Sequence, residues 1–396
     1  MFPTDIVIVA GARTPMARYT GNFSEVSAIE LGAHVSRAAI QRSGVDPAEI
    51  DHAIFGNVMQ TSADAIYGAR HVALKAGLKV ETPAVTVNRL CGSGIESITQ
   101  AAQRLLLGEA NVVLAGGMEN MTQAPFVIRG ARTGLKLGGG ALEDFLFVGL
   151  KDTYCGLPMA LTAEKLADQM GISRKDSDAY ALRSQQTAEA AHKAGYFAQE
   201  IVPVEVKHGK KTLLVSEDDH RRPETTLETL ENLPPSFKKE GIVTAGNASG
   251  IVDGAAAVVV TREKFARDRG LKPIGRIVSW AVAGVDPSIM GIGPVPSTRK
   301  ALELAGLKLE QIDRVEVNEA FAAQYLAVER ELGLQREKTN VNGGAIALGH
   351  PLGATGTRLV ITLLNELRRK NLRYGLATAC IGGGQGIAML LEALAN

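Results

Sequence analysis

The chain has 396 residues, 45% of them hydrophobic and 21% charged, with 43 basic against 42 acidic side chains and a net charge of +1. Such a length exceeds one ordinary core and points to more than one folding unit, while the balanced charge offers no basic field to nucleic acid or to an anionic membrane. Three cysteines, Cys91, Cys155 and Cys380, give neither a disulfide framework nor a zinc spacing, so a reducing compartment and no bound metal are expected, and no apolar run approaches the ~20 residues that span a bilayer.

The N-terminus enters a strand-like apolar run, Ile6 to Ala10, within a few residues, which leaves no room for a cleavable targeting peptide. Further strand-like runs follow at His52 to Asn57, Ala84 to Val87 and Asn111 to Gly117. The third leads into NRLCGSG (88–94), which places Cys91 at a strand-to-helix turn bracketed by glycines. Ile95, Ile98, Ala102, Leu105 and Leu106 then share one helical face. Strands alternating with such helices predict an α/β fold with a mostly parallel sheet.

Residues 119–248 break the pattern with Gly and charge clusters such as RTGLKLGGG, KHGKK and EDDHRRPE, and with the pair Pro234-Pro235. Long inserts of this kind build sites on a rigid scaffold. Beyond them the first half is repeated. AGLKLEQIDRVEVNEAFAA (305–323) echoes SGVDPAEIDHAIFGNVMQT (43–61), TNVNGGAIALGHPLGATG (339–356) stands where TVNRLCGSG stood, and YGLATACIGGG (374–384) matches NVVLAGG. LKPIGRIVSW (271–280) is the counterpart of the first strand. A duplicated α/β unit results, with one half from 1–118 plus 249–270, an inserted loop domain at 119–248 and a second half at 271–396.

By itself, Cys91 is either a small side chain filling a tight corner or a nucleophile. A helix N-terminus favours the thiolate, and glycines at 92 and 94 let a substrate approach the backbone. Ser97 occupies the place of the third glycine of a dinucleotide fingerprint, which argues against a nicotinamide cofactor. The duplication adds His350 and Cys380, both in Gly-rich turns at equivalent strand ends, where ligands bind in doubly wound sheets. His350 would take the Cys91 proton; the other six histidines have no comparable setting and read as structural. Two thiols and one imidazole point to chemistry on a thioester. Asn318 either caps the helix that follows it or serves a carbonyl oxygen or a water.

NRLCGSG, GNASG (246–250), VNEAFA, GGAIALGHPLGATG and ACIGGGQG occur in the order and spacing of the thiolase family, and the sequence resembles that family over essentially its whole length. Within it the likeness is to mitochondrial-type 3-ketoacyl-CoA thiolases, through QTSADAIYGARHVAL (60–74), LPMALTAEKLA (157–167), SFKKEGIVTAGNASG (236–250) and DPSIMGIGPVP (286–296). The resemblance implies a five-layered αβαβα fold of two halves with a large inserted loop domain. It implies Cys91 as the acylated nucleophile, His350 as its base, Cys380 as the acid/base at the α-carbon of acetyl-CoA, Asn318 as holder of a water that with His350 forms one oxyanion hole, and the backbone N–H groups of Cys91 and Gly382 as the second. Coenzyme A, a co-substrate beside no tightly bound cofactor, would lie on the insert, with Arg222 and Thr225 near its nucleotide, Ser249 near its pantetheine arm, and Met159, Phe237, Ala320 and Phe321 lining that arm.

Pro158 stands where biosynthetic acetoacetyl-CoA thiolases typically carry a histidine, which suggests a site for longer acyl chains. The expected activity is reversible cleavage of 3-ketoacyl-CoA to acetyl-CoA and a shortened acyl-CoA. The competing readings are an acyl-CoA thioesterase using the same acyl-enzyme and a non-catalytic acyl-CoA-binding scaffold; ketoacyl synthases generally place a histidine where Cys380 stands. The partners implied are acyl-CoA and CoA, with neither nucleic acid nor membrane, in a homodimer or homotetramer. The compartment would be the cytoplasm of a bacterium or a mitochondrial matrix entered without a cleaved presequence.

Overall fold

The computed structural model describes residues 5–394. Among them, ten strands form one continuous sheet. We label its main members β1 (Ile6–Arg13), β2 (His52–Gly56), β3 (Ala84–Val87), β4 (Val112–Glu119), β5 (Val252–Arg262), β6 (Gly275–Gly284), β7 (Arg314–Val317), β8 (Tyr374–Ile381) and β9 (Gln385–Ala393). Their spatial order is β7-β8-β9-β6-β1-β5-β4-β2-β3, with the short Ala17–Arg18 strand paired to β5. The principal helices are α1 (Ala28–Ser43), α2 (Gly68–Lys75), α3 (Ser93–Leu106), α4 (Met159–Met170), α5 (Arg174–Lys193), α6 (Pro294–Ala305), α7 (Ala322–Leu332) and α8 (Leu352–Arg369). None of the described helices is long and apolar enough to cross a membrane.

The sheet bends into two halves at the β1–β6 seam, where only Val7↔Arg276 and Ile8↔Gly275 pair. Strand side chains alternate between faces, and both faces are apolar. Ile54, Val113, Ala115 and Val258 face α3 and α8 in the central core, together with Ala377 and Met389 of the other half. Their neighbours Ala53, Phe55, Leu114 and Val259 point the other way, into α1 and α2. Leu376 and Leu390 pack outward with α4 and α7. Helices, sheet, helices, sheet and helices therefore stack as five layers, each large aliphatic side chain contributing about 1.5–3 kcal/mol on burial.

The expectation of a mostly parallel sheet needs correction. β2 runs parallel to β3 and β4, and β7 to β8, but the middle of the sheet is antiparallel. For one of these pairs the cause is connectivity: β8 returns directly as β9 through a turn with Gly383 and Gly384 at φ 79 and 81, and short returns can only pair antiparallel. The repeat is also incomplete. TNVN does not form an edge strand matching β3; Thr339 makes a single bridge to Val315. Asn340 stands instead at φ 47, and its side-chain amide exchanges hydrogen bonds with the Val317 backbone at 2.8 and 3.0 Å, replacing a strand partner.

Candidate active site

The parallel strands bring their C-terminal ends to one edge, the ligand side of α/β sheets. Cys91 follows β3, Asn318 follows β7, and Cys380 lies at the end of β8. Cys91 occupies the 3₁₀ turn Leu90–Gly92 that precedes α3. Leu90 takes φ 47 there, a costly conformation for leucine. The turn holds it: Leu90 N–H donates to Asn88 Oδ1 at 2.9 Å, Ser93 Oγ donates to Leu90 O at 2.7 Å, and Arg89 N–H donates to Ser93 Oγ at 2.9 Å.

The neighbouring glycines serve packing. A Cβ on Gly92 would lie 2.6 Å from the Ile381 side chain, and one on Gly94 would lie 2.5 Å from the Thr357 backbone nitrogen. Protein atoms, not open space for substrate, explain these two positions.

Half-buried Cys91 packs against Met59, Met121, Leu146 and Leu352. Burial pushes its thiol up to about 11, although the N–H groups of Gly382 and of Cys91 itself point at the sulfur and oppose the rise; the charge of Glu119 adds to it. Desolvation thus overrides the thiolate expected at a helix N-terminus. Cys380 is fully buried with Met290 and Ala320, against Met159 and Phe321. Burial, and next the closeness of Cys91, holds its thiol well above the ordinary range.

His350 is almost fully buried, and burial, with Arg358 nearby, pushes its imidazole down to about 3. Its Nδ1 lies 2.5 Å from Thr355 Oγ1. That hydroxyl donates to Pro351 O at 3.0 Å, so its oxygen accepts the Nδ1 proton. Nε2 is left bare and faces the Asn318 amide nitrogen at 3.3 Å. Asn318 does not cap a helix, since α7 begins at Ala322 behind Phe321. Its Oδ1 is buried without a hydrogen-bond partner among the described residues.

The residues expected around coenzyme A divide. Met159, Ala320 and Phe321 share the Cys380 cluster, and the Ser249 N–H donates to Ala320 O at 3.0 Å. Arg222 is exposed, its N–H donating to Gln185 Oε1 at 2.9 Å, and the Thr225 hydroxyl donates to Arg222 O at 2.7 Å. This segment reaches His350 indirectly: His220 Nδ1 lies 3.1 Å from Ala347 O, its ring covers Gly250, and Gly250 O accepts from His350 N–H at 2.9 Å. Phe237 is 46% exposed and stands apart from the cluster.

With this geometry, comparison with known proteins is decisive. The family model for the thiolase N-terminal domain matches residues 6–264, and that for the thiolase C-terminal domain matches residues 271–393. The chain belongs to the thiolase family. It is 53% identical over 393 residues to the mitochondrial 3-ketoacyl-CoA thiolase of Homo sapiens, covering 98% of each chain. It is 50% identical over 390 residues to the acetyl-CoA acetyltransferase of Escherichia coli K12, covering 98% of this chain and 99% of that one. The human mitochondrial 3-ketoacyl-CoA thiolase in complex with CoA superposes with a TM-score of 0.96 at 53% identity, covering 99% of this chain and 98% of that one.

Three residues of this thiolase's edge escaped the reading of the sequence. Thr355 fixes the His350 tautomer from within GHPLGATG. Glu319, beside Asn318, accepts from Tyr180 and Ser184 of α5 at 2.7 Å each, from Asn340 at 2.9 Å and from Ile346 N–H at 3.1 Å. Glu119 closes β4 with no exposed surface. The available signal was a carboxylate inside an otherwise uncharged stretch, GGMEN in one half and VNEAFA in the other.

Proposed function

We propose that this chain cleaves 3-ketoacyl-CoA with CoA, giving acetyl-CoA and a shortened acyl-CoA, and runs the Claisen condensation in reverse. The observation that carries the reading is the nearness of two buried thiols, Cys91, whose sulfur meets the Gly382 N–H, and Cys380, together with a buried His350 whose Nε2 carries no proton and faces the Asn318 amide. Cys91 and His350 both rest neutral, so His350 removes the thiol proton as attack on the 3-keto carbon begins. The C2–C3 bond then breaks and leaves the acyl group on sulfur. Cys380 delivers a proton to the α-carbon of the departing acetyl-CoA. The enolate oxygen is stabilised by a water held by Asn318 and by His350, and the tetrahedral oxygen by the Cys91 and Gly382 N–H groups. CoA then attacks the acyl-enzyme in a ping-pong cycle.

CoA lies along the insert at 119–248, between halves at 1–118 plus 249–270 and at 271–396. Arg222 and Thr225 meet its nucleotide; Ser249, Met159, Ala320 and Phe321 line its arm, and Phe237 closes over it from the exposed side. Pro158 suits acyl chains longer than acetoacetyl. The unit is a homodimer or homotetramer with no tightly bound cofactor, working in the cytoplasm or mitochondrial matrix according to host. Thiolysis of 3-ketoacyl-CoAs of increasing length, with mass spectrometry of trapped Cys91, tests the reading. Cys91→Ala abolishes acyl-enzyme, and turnover near wild type in that variant would sink the proposal. Cys380→Ser still acylates but exchanges no α-proton of acetyl-CoA with deuterium; rapid exchange would reassign the role of Cys380.

A further inference from the structure

Glu119 is a buried acid that these steps do not use. Its carboxylate gathers four donors: the Asn57 amide at 3.1 Å, Val58 N–H at 3.1 Å, Met59 N–H at 2.9 Å and Gly353 N–H at 2.8 Å. The first three belong to the turn after β2 in one half, and the fourth to the first turn of α8 in the other. Gly353 lies three residues beyond His350, with Pro351 between them. The backbones are in direct contact here, since a Cβ on Gly353 would fall 2.6 Å from Met118 O and 2.8 Å from Gly56 O. Met59 and Leu352, which it holds directly or through the next amide, belong to the buried cluster that Cys91 packs against, and Val58 packs on the same cluster. A negative group before α8 also complements the positive end of that helix.

We infer that Glu119 is a positioning residue: one carboxylate clasps the two halves across the edge and sets His350 against Cys91. The inference rests on the proposed role of the Cys91–His350 pair. The titratable groups facing Glu119 are Asp253 of β5 and the Cys91 thiol, with His350 beyond Gly353, while α8 and the turn after β2 present amide N–H groups. Burial, reinforced by Asp253, brings Glu119 up to about 7 against the pull of those amides, so its charge changes within the working range.

Glu119→Gln keeps the shape, removes the charge and turns an NH₂ toward N–H donors. The pH profile of Cys91 alkylation by iodoacetamide moves to lower pH in this variant, because burial alone then raises the thiol and the charge that adds to it is gone. kcat falls on the order of 10²-fold, the scale of a small misplacement, while KM for CoA is unchanged. A role in stability alone would leave the alkylation profile in place, and a profile and kcat matching wild type would overturn the inference. Alkylation needs no turnover, so it reads Glu119 separately from the thiolase reaction. Glu119→Asp covers the case in which the first variant does not fold. It keeps the charge and the wild-type profile but draws back from Gly353 and loses kcat; full kcat there would also overturn the inference.

Discussion

Thr355 sets the tautomer on which the proposed role of His350 as a base depends. Its hydroxyl donates to Pro351 O, so His350 carries its proton on Nδ1, donates it to Thr355 Oγ1 and keeps Nε2 bare. Thr355→Val keeps the volume and loses this constraint. We expect kcat to fall at least about tenfold, within what a general base supplies, and Thr355→Ser to restore it, checked by steady-state kinetics with KM as the control. The thiol has its own signature. With Cys91 raised to about 11, its thiolate fraction at neutral pH is smaller than that of free cysteine, so alkylation accelerates steadily on going alkaline; a plateau at neutral pH would contradict this. The placing of Cys91 at a strand-to-helix turn was legible from its glycines, whereas Cys380 lies within β8, ahead of its Gly-rich turn, and His350 lies between two helices and not at a strand end. Glu119 was not legible, because its partners lie 60 and 234 residues away and most are backbone amides, which leave no side-chain pattern.

At the level of elements, α3 and α8 cross through glycine. The Gly94 and Gly356 backbones touch, and a Cβ at 94 would sit 2.5 Å from Thr357 N and 2.9 Å from Gly356 N. Backbone cannot yield as a flexible side chain does, so Gly94→Ala is expected to cost about 1–3 kcal/mol, measured as a lower denaturant midpoint at unchanged m-value. Helix faces were readable from the spacing: Ile95, Ile98, Ala102 and Leu105 are all fully buried, as are Val360, Leu363, Leu364 and Leu367. Strand direction was not. An apolar run carries no sign of orientation, and β5 and β9 look like any other buried strand until their connections are known.

Across the whole molecule, acids left in the interior set a pH dependence of stability. Burial raises Asp253 to about 6, Glu119 to about 7 and Glu316 to about 8, the last despite Arg358 at 3.4 Å. Folded values above the unfolded ones mean that these groups stabilise fully below the ordinary carboxylate range and lose that contribution as pH rises through their folded values. The contribution of these acids to the melting temperature should therefore decline from about pH 4 to about pH 8, and Glu316→Gln should flatten the upper part of that slope in calorimetry. The duplication and the long insert were visible in the sequence, because glycine clusters and repeated turns mark them. What the insert does to the order of events was not. β4 ends at Glu119 and β5, its partner between it and β1, begins only at Val252. On the ribosome, the first half therefore waits with both edges of β1 and one edge of β4 unpaired until the whole loop domain has been translated. That interval is when a nascent chain is most open to wrong pairing, and it makes the emergence of Val252–Arg262 the moment at which the N-terminal sheet can first close.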